Sequence, residues 1–331
     1  MQKRQNTKRL ADKLYLTDDG IHFDQSQLWL DSKKSGALSF LASASLVRER
    51  YKNQVIVSEE TNQLLKLYNP ELQALTCQYN RPFSIGRYNL ELLPSGSILG
   101  GSSLSIETEK ERILYAPLFS DAKPLLTRAS QTKQTDYLIL KADSYDNSRS
   151  VMNRKKELDR FLLNIKNCLE EKKVPVIFSP LLHSASELCK ILSEENIKAT
   201  VHKHIYDVNK VYENFDYNLG SYNLWNPEKP LTETVLILPS SSRPQKLLHS
   251  MENRKFFFIN NGIELHALHK KDSTFNLPLP HMNANLVNLI KEVQPKKTYI
   301  FGPYAHKLIQ TQKLAKDSVE LLDPFNQSSL L

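Results

Sequence analysis

The chain has 331 residues, of which 40% are apolar and 24% charged, a balance that excludes a disordered chain and leaves room for one large or two ordinary domains. No apolar run approaches the roughly 20 residues of a membrane-spanning helix, and the basic opening MQKRQNTKRL has no apolar stretch behind it to make a secretory signal. Lys and Arg number 44 against 36 Asp and Glu, a net charge of +8 that favours polyanionic partners such as nucleic acid through phosphate contacts.

In chain order, LYLTDDGIHFD and SQLWLD alternate as two strands, with Asp19-Gly20 as a hairpin turn. Asp31 ends the second and reads as a turn-capping aspartate. Leu38 to Leu41 form a short buried strand, bounded by Gly36 and by the small residues Ala42 to Ser45, that feeds a helix start. QVIVSEETNQLLKLY reads as strand then helix, with Ser58 and Thr61 as cap chemistry. The next stretch is alternating β pattern broken by Gly96, Gly100 and Gly101, with a hairpin over Glu109 to Glu111.

From Asp136 the pattern becomes strand–helix alternation. DYLILKA, PVIFSP, KATVHKHIY, TVLILPSSS and KFFFINNG are strands. Between them ELDRFLLNIKNCLEE is an amphipathic helix with Leu158, Phe161, Leu162, Ile165, Cys168 and Leu169 on one face. Such alternation implies a mostly parallel sheet with helical crossovers. Cys77, Cys168 and Cys189 lack Cys-x-x-Cys spacing and read as buried thiols of a reducing, cytoplasmic compartment. His202 and His204 fall on one face of an expected strand, and His266 and His269 form a second close pair. Neither pair has a third ligand nearby, so both read as ordinary histidines. Ser43, Ser45, Ser97 and Ser240 to Ser242 lie in no Gly-x-Ser-x-Gly and have no spaced His and Asp partners, which argues against a serine nucleophile.

The run LWLDSKKSGALSFLASAS resembles the start of a metallo-β-lactamase-fold nuclease of the β-CASP group. Closest are the bacterial exonucleases associated with DNA ligase, and more remotely the messenger-RNA 3′-end processing nucleases. The resemblance implies an α/β fold, an αββα sandwich built from residues 1–135 and 276–331, with a β-CASP-like α/β insertion over residues 136–275. In that family the strand is followed by His-x-His-x-Asp-His, which binds two zinc ions. Ser43, Ser45, Val47 and Arg48 stand at those places, and Asp31 stands where an aspartate orients a zinc ligand. PSGSILG resembles the family's Pro-x-Gly-His-x-x-Gly with Ser97 at the histidine, and YAPLF resembles Tyr-x-Gly-Asp-Phe with Pro117 and Leu118 at the glycine and aspartate. The family's Ser-x-His-Ala-Asp keeps its histidine as His281 and has Asn283 at the aspartate, and its closing His-Gly becomes Phe301-Gly302. Asp143 lies near the acidic residue that ends the first strand of the family's insertion, without a register that assigns it.

A binuclear zinc site needs several imidazoles and carboxylates about 2.0–2.2 Å from the ions. Serine hydroxyls are neutral and weak donors, and valine, leucine and phenylalanine donate nothing. No catalytic residue, no metal and no other cofactor is therefore expected. The resemblance implies a catalytically inactive homologue that acts as a nucleic-acid-binding or partner subunit in DNA or RNA processing or repair, as an inactive homologue pairs with the 3′-end processing nuclease. Expected partners are DNA or RNA held in a basic cleft by Lys33, Lys34, Arg48, Arg50 and Lys52, and an active nuclease, ligase or helicase, with no membrane. Two alternatives stand beside this: an active metal-dependent exonuclease or other hydrolase with displaced ligands, and a protein-interaction scaffold with no nucleic-acid role.

Overall fold

The computed structural model describes residues 14–23, 28–33, 36–46, 54–143, 150–241, 253–260, 274–314 and 318–322. The chain is mixed α/β and divides into two compact units, the first made of Met1–Pro124, Arg128–Asp146 and Ala284–Leu331, the second of Leu125–Thr127 and Asn147–Asn283.

The first unit opens with a six-stranded sheet in sequence order. Its strands are β1 (Leu14–Thr17), β2 (Gly20–Phe23), β3 (Leu28–Leu30), β4 (Leu38–Phe40), β5 (Gln54–Ser58) and β6 (Ala74–Cys77). The Asp19-Gly20 turn makes β1 and β2 antiparallel, β2 and β3 are antiparallel, and from β3 onward every pair is parallel. A single face of this sheet is buried in the main core, because Ile21, Leu28, Leu30, Phe40 and Ile56 join one apolar cluster. Val55 and Val57, one residue either side of Ile56, point the other way and are fully buried. They lie under helix α1 (Glu59–Lys66), which packs on β5 and β6.

The second sheet continues with β7 (Phe83–Ile85), β8 (Tyr88–Pro94), β9 (Ser102–Glu107), β10 (Arg112–Ala116) and β11 (Tyr137–Lys141). Its alternation is two-sided. Leu90, Leu92, Leu104, Ile106, Ile113 and Tyr115 enter the core shared with the first sheet. Leu93, Leu114, Leu138 and Leu140 face the opposite way into a second apolar layer. One boundary differs from the sequence reading. The strand 137–141, expected to open the insertion, runs parallel to β10 within this sheet. DYLILKA carries the continuous apolar run of any doubly buried strand, so its pattern alone does not say which sheet it joins.

The second unit holds a sheet of six parallel strands. In chain order its elements are α2 (Ser150–Glu170), β12 (Val174–Ser179), α3 (Ser184–Glu194), β13 (Ala199–Val201), α4 (Lys203–Asn214), β14 (Tyr222–Leu224), β15 (Val235–Pro239), β16 (Arg254–Asn260) and β17 (Thr274–Asn276). The strands lie side by side as β14-β13-β15-β12-β16-β17. Phe161, Ile165 and Cys168 of α2 pack with Leu188 and Leu192 of α3 and Ile205 of α4 against Ile177, Val201, Ile237 and Phe257. The expected strand KATVHKHIY ends at Val201. His202 caps α4, its Nδ1 accepting from the His204 N–H at 3.2 Å. His202 and His204 therefore do not share a strand face.

The chain then returns to the first unit. Helix α5 (Leu286–Val293), β18 (Lys297–Phe301), helix α6 (Ala305–Thr311) and β19 (Val319–Leu321) complete it. The strands extend the second sheet beside β11, and Leu286, Leu289, Val293, Ala305 and Leu308 cover its outer apolar layer. Among the described residues no helix is long and apolar enough to cross a membrane.

Candidate functional site

In the first unit the loops that carry Ser43, Ser45, Ser97 and Leu118 are tied together by backbone bonds. Ser102 N–H donates to the Ala42 carbonyl at 2.8 Å, and Ser120 N–H to the Ser95 carbonyl at 2.8 Å. The glycines of PSGSILG make this closeness possible. Gly96 has φ +77° and a Cβ there would meet the Ser120 carbonyl at 2.6 Å, while Gly100 has φ +74° and a Cβ would meet the Thr61 nitrogen at 2.5 Å.

Asp31 is the polar centre of this end of the unit. Its Oδ1 accepts the Ala42 N–H at 2.7 Å and its Oδ2 accepts the Tyr115 hydroxyl at 2.6 Å. The residue stands at φ +50°, a left-handed conformation that costs an aspartate less than most residues. Instead of capping its own turn, it fastens the start of the Ala42–Ser45 loop to β10. Burial pushes its carboxyl up to about 6, against the opposing pull of the Tyr115 hydrogen bond, the Ala42 N–H and the Lys141 charge. The Tyr115 phenol is held well above its ordinary value, first by burial and then by the neighbouring Asp31 charge, so it stays a donor. Lys141 is itself paired with Asp143 at 3.0 Å.

Around this pair the motif positions are spent on packing. Phe301 stacks on Tyr115 with ring centroids 6.3 Å apart, and Phe40 meets the same ring edge-on at 6.2 Å. Leu118 is buried in the same core cluster as Ala42 and Tyr115. Ser43 and Ser45 hydrogen-bond each other, Oγ to Oγ, at 2.6 Å, and Ser43 Oγ also accepts the Ser45 N–H. Ser97 is fully buried, with its N–H directed at Ser95 Oγ. This donor set does not fit two zinc ions: the hydroxyls are neutral and already bonded, and two of the positions are hydrocarbon. Among the described residues no three His, Cys, Asp or Glu side chains gather to hold a metal.

The structure thus brings together Asp31, Ser43, Ser45, Ser97, Leu118 and Phe301. His281 and Asn283 belong to the second unit. Lys33 is exposed, its N–H donating to the Asp19 carbonyl. Lys34, Val47, Arg48, Arg50, Lys52, Ser242, His266 and His269 lie outside the described residues. Sequence reasoning passed over Tyr115 and Lys141. The first could have been found, since YAPLF was singled out and its tyrosine is the one letter that keeps a polar group; the second carries no local signal.

No family model matches the chain, and no curated protein matches it. Among solved structures it is similar to the crystal structure of a protein of unknown function from Enterococcus faecalis V583, with 15% identity, a TM-score of 0.57, and coverage of 87% of this chain and 79% of that one. At that identity the likeness is one of fold.

Proposed function

We propose that this chain has the metallo-β-lactamase fold with a β-CASP insertion, has lost metal-dependent hydrolysis, and serves as a nucleic-acid-binding or partner subunit in DNA or RNA processing. The facing sheets of the first unit, with helices on their outer sides, support the first part of this reading. The parallel-sheet unit set into the sequence between β11 and α5 supports the second. One observation carries the loss of chemistry. The loops at which such a nuclease would hold its ions are joined as a binding site would require, yet they present a Ser43–Ser45 hydroxyl pair, a core leucine and a stacked phenylalanine. The +8 charge favours a polyanionic partner over a neutral one.

The test is a nuclease assay on single- and double-stranded DNA and RNA with zinc, manganese or magnesium, together with metal analysis and a binding titration in rising salt. Binding that weakens steeply with salt and no cleavage with any ion is the expected result. Stoichiometric zinc accompanied by cleavage would overturn the loss of chemistry. Absence of any nucleic-acid binding would leave only the partner role.

A further inference from the structure

Between α4 and β14 of the second unit lies a solvent-open cavity of about 360 Å³, lined among others by Lys198, Tyr206, Lys210, Glu213 and Tyr222. It is at the small end of ligand pockets, which run to roughly 300–1,000 Å³. Its walls are set by local geometry. Gly220 has φ +76°, and a Cβ there would lie 2.0 Å from Ser193 Oγ, so only glycine lets the chain pass this close to α3. Ser193 Oγ in turn accepts the Ser221 N–H at 3.0 Å, which holds the segment entering β14. The two tyrosine rings meet edge to face at 5.8 Å. Lys210 Nζ stands 5.0 Å from the Tyr206 ring and 5.8 Å from the Tyr222 ring. Glu213 orients both groups, accepting the Tyr222 hydroxyl at 2.6 Å and pairing with Lys210 at 2.6 Å. Lys198 is exposed and has no carboxylate at ion-pair distance among the described residues.

We infer that this cavity binds one nucleotide unit of a single-stranded nucleic acid, the base against Tyr206 and Tyr222 and its phosphate against Lys198 and Lys210. The inference rests on the nucleic-acid role proposed above and gives it a location. Aromatic faces beside lysines are the elements that hold single strands without regard to sequence, since every base has a face and every unit a phosphate. A phosphate displaces the Lys210–Glu213 contact readily, because that ion pair is exposed and three residues apart on one helix. Ring faces and ammonium groups do not read a 2′-hydroxyl, so DNA and RNA strands bind alike.

The test uses the full chain and fluorescence anisotropy with labelled oligo(U) and oligo(dT) across a salt series. Lys198→Ala/Lys210→Ala is compared with Lys155→Ala/Lys156→Ala, an equal charge change on exposed lysines of α2 outside the cavity. The pocket pair is expected to weaken both oligomers at least fivefold and to flatten the logarithmic salt slope by about 1.4, roughly 0.7 for each lost phosphate contact. Tyr206→Leu is expected to weaken binding about fivefold or more with the slope unchanged, because stacking is lost and no charge is. If the wild-type chain binds and the pocket pair matches either the wild type or the α2 pair, this location is overturned while the nucleic-acid role stands. If the wild-type chain binds neither oligomer, both fall.

Discussion

Asp31 carries the most stress of any residue in the first unit, with a left-handed backbone and a carboxyl that burial resists ionising. Its raised pKa adds stability below the ordinary carboxylate range, and that stability is lost as pH rises through about 6. Asp31→Asn removes the titration and keeps the contacts. Its amide oxygen takes the Ala42 N–H, its amide nitrogen donates to the Tyr115 oxygen, and asparagine tolerates φ +50° at least as well. Chemical denaturation at pH 7 should find Asp31→Asn equal to the wild type or more stable, by no more than about 3 kcal/mol. A loss above about 1.5 kcal/mol would mean that the ionised carboxylate is needed. Tyr115→Phe acts in the opposite direction. It strips Oδ2 of its donor and pushes the carboxyl further up, so a loss of about 1–3 kcal/mol at pH 7 is expected. The pairing spans 84 residues of sequence. That is why Asp31 reads as a turn cap from its neighbours alone: local spacing carries no information about a partner on another strand.

At the scale of elements, the parts legible in the sequence are those whose signals are local. The Asp19-Gly20 hairpin forms as its dipeptide requires. Ser58 caps α1, accepting the Thr61 N–H at 3.2 Å. Where the cap was an unusual residue the reading went wrong: His202 does for α4 what Ser or Asp commonly does, so the apolar alternation through Ala199, Val201 and Ile205 passed for a longer strand. The helical spacing of Ile205, Val208 and Tyr212, all buried, was the overlooked sign. Ser58 also does more than cap. Its hydroxyl and that of Thr61 both donate to the Gly100 carbonyl at 2.8 Å, fixing α1 to the glycine loop. Ser58→Ala loses the cap and leaves that carbonyl short of one donor, so about 1–2 kcal/mol of stability should go. Gly100→Ala should lose at least as much, from the left-handed φ and the collision with Thr61. Urea titrations with an unchanged slope and lowered midpoints would verify both. A Gly100→Ala protein as stable as the wild type would show that α1 is not held to the loop as described.

For the whole molecule, two units with separate cores carry opposite responses to pH. In the first, Asp31 is the group with the raised carboxyl, so stability falls as pH climbs from 5 toward 6, at about 1.4 kcal/mol per unit. In the second, His183 is buried at φ +67° with neither ring nitrogen hydrogen-bonded among the described residues, and burial lowers its pKa. A lowered histidine adds stability that is present above about 6.5 and is lost as pH falls below it, since the unfolded chain takes the proton and the buried ring refuses it. Glu157 and Glu213 of the same unit are lowered from 4.5 and lose their share only below that value, outside a window of pH 5 to 7.5. The chain has 2 tryptophans, and they fall one in each unit, Trp29 on β3 and Trp225 just past β14. Trp225→Phe leaves a reporter of the first unit, and Trp29→Phe a reporter of the second. Melting followed by Trp29 fluorescence should move down between pH 5 and 6.5, and the shift should vanish in Asp31→Asn. Melting followed by Trp225 should move up over the same range, and the shift should shrink in His183→Gly, which also relieves the left-handed backbone. Coincident curves with one common pH dependence would mean that the units unfold together and that neither buried group governs its own.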